Sequence, residues 1–106
     1  MDKLLFGDIV LIKFPFTNYQ KYKKRPALIL LDTEDSDIII CRITSKIYDT
    51  EFDLKINNWK ECGLKLASVI RLHKIASVEK DLVELKIGSI NKILKQKLKD
   101  KFRKII

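Results

Sequence analysis

At 106 residues the chain has room for one modest hydrophobic core, and 46% hydrophobic with 34% charged residues marks it as globular rather than disordered. No apolar run approaches the roughly 20 residues that span a bilayer, and the opening MDKLLFGD lacks the h-region of a signal peptide. A single domain over residues 1–106, in the cytoplasm and without a membrane partner, is expected, while the net charge of +8 favours a polyanion or an acidic partner.

Gly7-Asp8 opens the first apolar run, Ile9 to Phe16, and a second covers Ala27 to Leu31. Both are short, rich in Ile, Val, Leu and Phe, and bounded by Gly, Pro or Asn, which predicts a pair of strands. The loop between them carries Tyr19, Lys21, Tyr22, Lys23, Lys24 and Arg25. Arg25 precedes Pro26, which disfavours the α region and holds Arg25 extended where the second strand begins. Asp32 to Asp37 predicts an acidic turn that lacks the glycine and distal glutamate of a calcium loop. Ile38 to Cys41 is aliphatic enough for a strand buried on both faces, and Arg42 to Ser45 ends it with polar groups.

Phe52, Leu54 and Ile56 alternate with charged residues, the period of a half-buried strand, before Asn57-Asn58 turns the chain. Trp59 reads as core or as a stacking face for a base, with the area an indole buries favouring core. Ala67 to Ile75 predicts a further strand with Arg71 and His73 on one face. Leu82 to Ile87 predicts a last short one, ended by Gly88, with Ser89 as N-cap of a C-terminal helix. Ile90, Ile93, Leu94, Leu98, Phe102, Ile105 and Ile106 form that helix's apolar stripe. From Ser89 onward seven basic residues face one acidic residue, against 15 basic and 13 acidic in the rest of the chain. Such a face binds an anionic partner or is simply solvated. Five or six short strands with one late helix make a mainly β chain, curved into a small barrel that removes sheet edges.

Chemistry concentrates at two places. Arg25 offers a planar, permanently charged fork, and Thr44 and Ser45 offer hydroxyls at a strand end, able to bind a phosphate oxygen or to satisfy turn backbone. Cys41 and Cys62 have neither CxxC spacing nor a histidine at zinc-finger distance and read as free thiols, so no metal site and no cofactor is expected.

Gly7-Asp8, Phe14-Pro15-Phe16, Lys24-Arg25-Pro26-Ala27, Ile43-Thr44-Ser45, Gly63-Leu64, Ser68-Val69 and Lys86-Ile87-Gly88 stand in the order of the MazF/PemK toxins of type II toxin-antitoxin systems, which this sequence resembles over nearly its whole length. The resemblance implies an SH3-like barrel with a C-terminal amphipathic helix, assembled as a homodimer. It implies a metal-independent endoribonuclease that cuts single-stranded RNA by attack of the 2′-OH, leaving 2′,3′-cyclic phosphate ends. It also implies a cognate antitoxin with an acidic, partly disordered tail, and DNA binding together with that antitoxin. Carried over by position, Arg25 and Thr44 are the catalytic pair, with Ser45, Lys24, Lys46, Tyr19 and Tyr22 on the substrate. The family places no catalytic histidine in the strand of His73. Its first loop is often rich in Gly and Ser, whereas Thr17 to Lys24 has no glycine, and the base preference is not read from it. The rivals are a non-enzymatic toxin resembling the CcdB gyrase poisons, and a non-catalytic nucleic-acid-binding barrel.

Overall fold

The two apolar runs that open the sequence pair as antiparallel strands, β1 (Asp8–Pro15) and β2 (Tyr22–Asp32), with Ile9 opposite Leu28 and Ile12 opposite Arg25. The computed structural model describes residues 3–15 and 22–106, so the expected end of the first strand at Phe16 and the loop through Tyr19 lie outside the described residues. β2 starts five residues earlier than its aliphatic run, which places Lys23, Lys24 and Arg25 on a strand rather than on a loop tip. Then follow β3 (Asp37–Thr44), β4 (Asp53–Ile56), β5 (Ser68–Glu79), a 3-10 turn (Lys80–Leu82), β6 (Val83–Ser89) and α1 (Lys92–Ile105).

The six strands form one sheet in the order β4-β5-β3-β2-β1-β6. The expected mainly β fold with a C-terminal helix holds, and its curved sheet stays open: β4 and β6 are the two edges, and no ladder joins them among the described residues. With only four residues, β4 is too short to zip along β6. The loop that follows it reaches β6 instead, where the backbone of Gly63 lies against that of Gly88 so closely that a Cβ on either glycine would overlap the carbonyl oxygen of Ile87 or Cys62. Gly63 also has φ +83°, a conformation that L side chains rarely adopt.

Alternation along the strands gives the sheet two apolar faces. Ile9, Leu28, Cys41, Ile43, Ile70 and Leu72 face one way, where Ile90, Leu94 and Leu98 of the C-terminal segment cover them, with Trp59 and Phe102 packed at the margin. Val10, Ile12, Ala27, Ile29, Ile38 and Ile40 face the other way with Leu4 and Val83. The single core expected from length is thus split by the sheet, and Trp59 takes its place in packing as its size suggested.

Two local expectations change, and β5 carries an irregularity. Ser89 is consumed as the last residue of β6, opposite Asp8, and the helix is capped by Asn91, whose Oδ1 accepts from Leu94 N at 2.8 Å. Ile93 and Ile106, expected on the apolar stripe, are 69% and 95% exposed. In β5 the pairing with β3 jumps from Ile75 opposite Cys41 to Arg71 opposite Arg42. That bulge leaves residues 72–74 outside the β3 ladder, next to the segment that leads into β4. Arg71 reaches Asp53, while the His73 ring lies 5.0 Å from that of Phe52.

The turn after β2 is closed by a buried carboxylate. Asp32 accepts from Lys80 Nζ at 2.7 Å, Leu4 N at 2.8 Å and Glu34 N at 2.9 Å, tying the N-terminal segment and the 3-10 turn to the end of β2. The Lys80 ammonium first, and then the two amides, lower its pKa from 3.8 to about 2. A depressed carboxylate stabilises the fold fully above its unfolded value and loses that contribution as pH falls through the folded value. Thermal melts should therefore show Asp32→Asn below wild type at pH 7, with the gap closing between pH 4 and pH 2; a gap independent of pH would show that the charge contributes nothing. Gly88→Ala should cost roughly 1–3 kcal/mol in urea titrations, the usual penalty for forcing a methyl into a packed contact, here against backbone.

Candidate functional site

The site begins where a ladder stops. β2 pairs with β3 from Asp32 back to Ala27, opposite Arg42, and no further, although both strands run on. Pro26 is the next residue of β2 and has no N–H to continue the ladder. Among the described residues, β2 is paired from Tyr22 to Pro26 with β1 alone, and its other edge is open. Extending the register by two residues would set Arg25 opposite Thr44, the last residue of β3.

A cavity of about 530 Å³ occupies this opening. One wall is the open edge, Lys23 to Pro26, and another is the end of β3, Ile43 to Ser45. The third is Gly63 to Leu66, the loop that the Gly63–Gly88 contact docks on β6, with Ser68 behind it and Leu11 and Ile87 completing the lining. Of the residues singled out in the sequence, Lys24, Arg25, Thr44 and Ser45 meet here. Lys46 does not line the cavity; its Nζ lies 5.1 Å over the ring of Tyr48. Tyr19 lies outside the described residues, and Tyr22 enters only as the first backbone position of β2. Arg25 and Pro26 also border a second cavity of about 420 Å³, with Arg42, Lys74 and Ile75 on its far side.

Among the described residues no acidic side chain lines the first cavity. Lys24 Nζ is paired with Glu84 Oε1 at 2.8 Å, while Lys23, Arg25 and Lys65 have no carboxylate within 4 Å among the described residues. Glu84 Oε2 is buried and unpartnered among those residues. Three uncompensated cations around an apolar floor of Leu11, Pro26, Ile43, Leu64 and Ile87 suit an anion that carries flat apolar rings. Lys65 and Leu66 were missed in the sequence because they carry no motif; only the neighbouring Gly63-Leu64 marked that segment.

Thr44 caps the turn and keeps a proton to donate. Its Oγ1 accepts from Lys46 N at 3.2 Å, which caps the turn after β3. A hydroxyl that accepts one backbone N–H still has its own O–H to donate, and the cap narrows the directions that proton can take. Ser68 Oγ instead spends its proton on Leu66 O at 2.9 Å, inside the wall.

The thiols stand apart from this chemistry. Burial pushes Cys41 up to about 12 and raises Cys62 as well, so both stay protonated and unreactive at neutral pH. Among the described residues no group of three or more His, Cys, Asp and Glu side chains is arranged to hold a metal ion, and no helix is long and apolar enough to cross a membrane.

Comparison with known proteins agrees with this architecture. The fold is similar to that of MazF in a MazE-MazF crystal structure from Deinococcus radiodurans, with TM-score 0.79 and 16% identity over 99% of this chain and 96% of that one. An endoribonuclease from a mycobacterial species matches with TM-score 0.76 and 14% identity, over 98% and 91% of the two chains. The Mycobacterium tuberculosis toxin MazF-mt6 follows at TM-score 0.72 and 15% identity, over 90% and 93%. No curated protein sequence matches. The model of the PemK-like, MazF-like toxins of type II toxin-antitoxin systems matches residues 6–106, and the chain belongs to that family.

Proposed function

We propose that this toxin is an endoribonuclease that cuts single-stranded RNA in the cavity between β2 and β3 without a metal ion. The observation that carries the reading is that Arg25 and Thr44 line one cavity beside an unpaired strand edge, with no acidic lining among the described residues. The 2′-OH of one ribose attacks the adjacent phosphorus and the 5′-oxygen leaves, giving a 2′,3′-cyclic phosphate. A proton leaves the nucleophile, one reaches the leaving oxygen, and the phosphorane-like transition state gains negative charge. Arg25, held extended before Pro26, supplies a fixed positive charge to that transition state. Thr44 donates to a non-bridging oxygen with its geometry set by the Lys46 amide, and Ser45 supports it. Lys24 exchanges Glu84 for a phosphate, a partly exposed pair worth about 0–1 kcal/mol being easy to break.

The partners follow from the same charge. Solved relatives include MazE-MazF and an endoribonuclease in complex with its cognate antitoxin, both from bacteria. An antitoxin with an acidic, partly disordered tail would cover the Lys23, Arg25 and Lys65 cations and exclude RNA, and the toxin itself would act as a cytoplasmic homodimer.

Incubating purified protein with a long single-stranded RNA in EDTA tests the reading. Fragments with 2′,3′-cyclic phosphate ends support it, whereas intact RNA overturns it, and inhibition of gyrase in the same preparation would identify a gyrase poison. Arg25→Ala should slow cleavage by about 100-fold or more in a folded protein, the scale of losing one pre-organised charge donor. Thr44→Ser should retain most activity and Thr44→Val should not, with little change in RNA affinity. Equal, small effects would reduce Thr44 to a turn cap.

The lysine helix lies away from this track. No helix residue lines the cavity, Lys101 Nζ bonds Glu51 O at 3.2 Å, and Lys99 Nζ sits 5.5 Å over the ring of Phe6. Changing Lys95, Lys99 and Lys101 together to Gln should lower the log-log salt dependence of RNA binding by less than one unit, since each lost phosphate contact is worth about 0.7.

A further inference from the structure

Between Thr44 and β4 the chain makes an excursion over residues 45–52, and residues 45–51 are exposed except for the half-buried Tyr48. The ring of Tyr48 rests on the guanidinium of Arg71, whose Cζ is 3.6 Å from the ring centroid. Arg71 Nε donates to Asp53 Oδ1 at 2.9 Å, and both side chains are largely buried, 12% and 2% exposed. The second oxygen of Asp53 accepts from Thr50 Oγ1 at 2.6 Å and Thr50 N at 3.1 Å. Leu72 N, the residue after Arg71, donates to Phe52 O at 2.8 Å. The far end of the excursion is therefore fixed by Asp53 and Thr50, its middle by Tyr48 on Arg71, and its near end by the Lys46 amide on Thr44. Lys46 closes the circuit, because its ammonium also lies over Tyr48. Toward its end the segment is also held by Asp53 N on Thr50 O at 3.1 Å, Phe52 N on Thr50 Oγ1 at 3.2 Å, the Phe52 ring against His73 and an exposed bond from Lys101 to Glu51 O, so around Tyr48 the contacts are those with Arg71 and Lys46.

We propose that Arg71, acting with Asp53 and Tyr48, is a positioning residue for Thr44: the stack on Tyr48 holds the turn in which the Lys46 amide aims the Thr44 hydroxyl into the cavity. What that hydroxyl does rests on the ribonuclease reading above; what holds it rests on this geometry. Arg71 stands opposite both Asp53 of β4 and Arg42 of β3, so it links the strand of Thr44 to the strand where the excursion ends. Burial pushes Asp53 upward, yet the hydrogen bonds from Thr50 and Arg71 outweigh it and hold the carboxyl below its ordinary value, so the clamp stays charged at neutral pH. A guanidinium is the side chain that can pair with a carboxylate in its plane and stack an aromatic ring on its face at once, which an ammonium does not reproduce.

The test compares Tyr48→Ala, Tyr48→Phe, Arg71→Lys and Arg71→Ala with wild type, reading amide hydrogen exchange by NMR and steady-state cleavage of RNA. In Tyr48→Ala the Lys46 amide should lose protection by about tenfold or more while β1 and β2 amides are unchanged. Its kcat should fall about 10- to 100-fold, the scale of a small misplacement of a reacting group, with KM within about twofold. Tyr48→Phe should restore both, and Arg71→Lys should behave like Tyr48→Ala. Arg71→Ala strands the Asp53 carboxylate in a buried setting and endangers folding, so Tyr48→Ala carries the decision. Unchanged Lys46 protection, or lost protection with unchanged kcat, overturns the proposal. If wild type cuts no RNA, the ribonuclease reading falls, and the Lys46 exchange result alone decides whether the clamp holds the turn.

Discussion

A missing N–H governs the layout. Pro26 cannot donate to β3, so the β2–β3 ladder ends at Ala27 and four polar or basic positions of β2 keep a free edge. A free edge inside a sheet is ordinarily an aggregation hazard, managed with charge. Here that charge, Lys23, Lys24 and Arg25, also lines the cavity. The same ring that opens the ladder restrains Arg25 to an extended backbone, so one residue creates the space and orients the group that faces it.

Everything else supports that opening from two sides. The helix covers one face of the sheet through Leu94 and Leu98, and truncating a side chain buried like Leu98 typically costs about 2–5 kcal/mol. The opposite face gathers Ile12, Ala27, Ile29 and Ile40 and is tied down by Asp32, Lys80 and Leu4. With both faces filled, the sheet beside the cavity is packed on each side. The third wall is a loop held by contact between glycine backbones, where no side chain can intervene.

Much of this was legible in the sequence for local reasons. Aliphatic runs marked β1, the second half of β2 and β3, a 3.6-residue period marked α1, and Arg-Pro marked the extended arginine. What escaped notice was non-local. The first half of β2 is strand because β1 pairs with it, while its own residues, Lys-Lys-Arg, carry no strand pattern. Ser89 and Asn91 are equally good caps, and the choice was settled by β6 pairing through Ser89 to Asp8. The bulge in the pairing beside Arg71 and its partner Asp53, 18 residues away, had no local signal either. The candidate residues divide in the same way: Lys24, Arg25, Thr44 and Ser45 flank one ladder and so converge, whereas Lys46 points along the surface to Tyr48.

Trp59 is the chain's one tryptophan, and its carbonyl accepts from both Cys62 N and Leu64 N, at 3.2 and 3.0 Å, inside the loop that walls the cavity. Half-buried against the core, with the Lys60 ammonium 5.4 Å over its ring, the indole sits where apolar packing gives way to solvent. Its emission is thus a built-in optical gauge of that wall. An occupant that shifts Gly63 to Leu66 would pull on the Leu64 amide held by the Trp59 carbonyl, and should report its binding in that emission without a label.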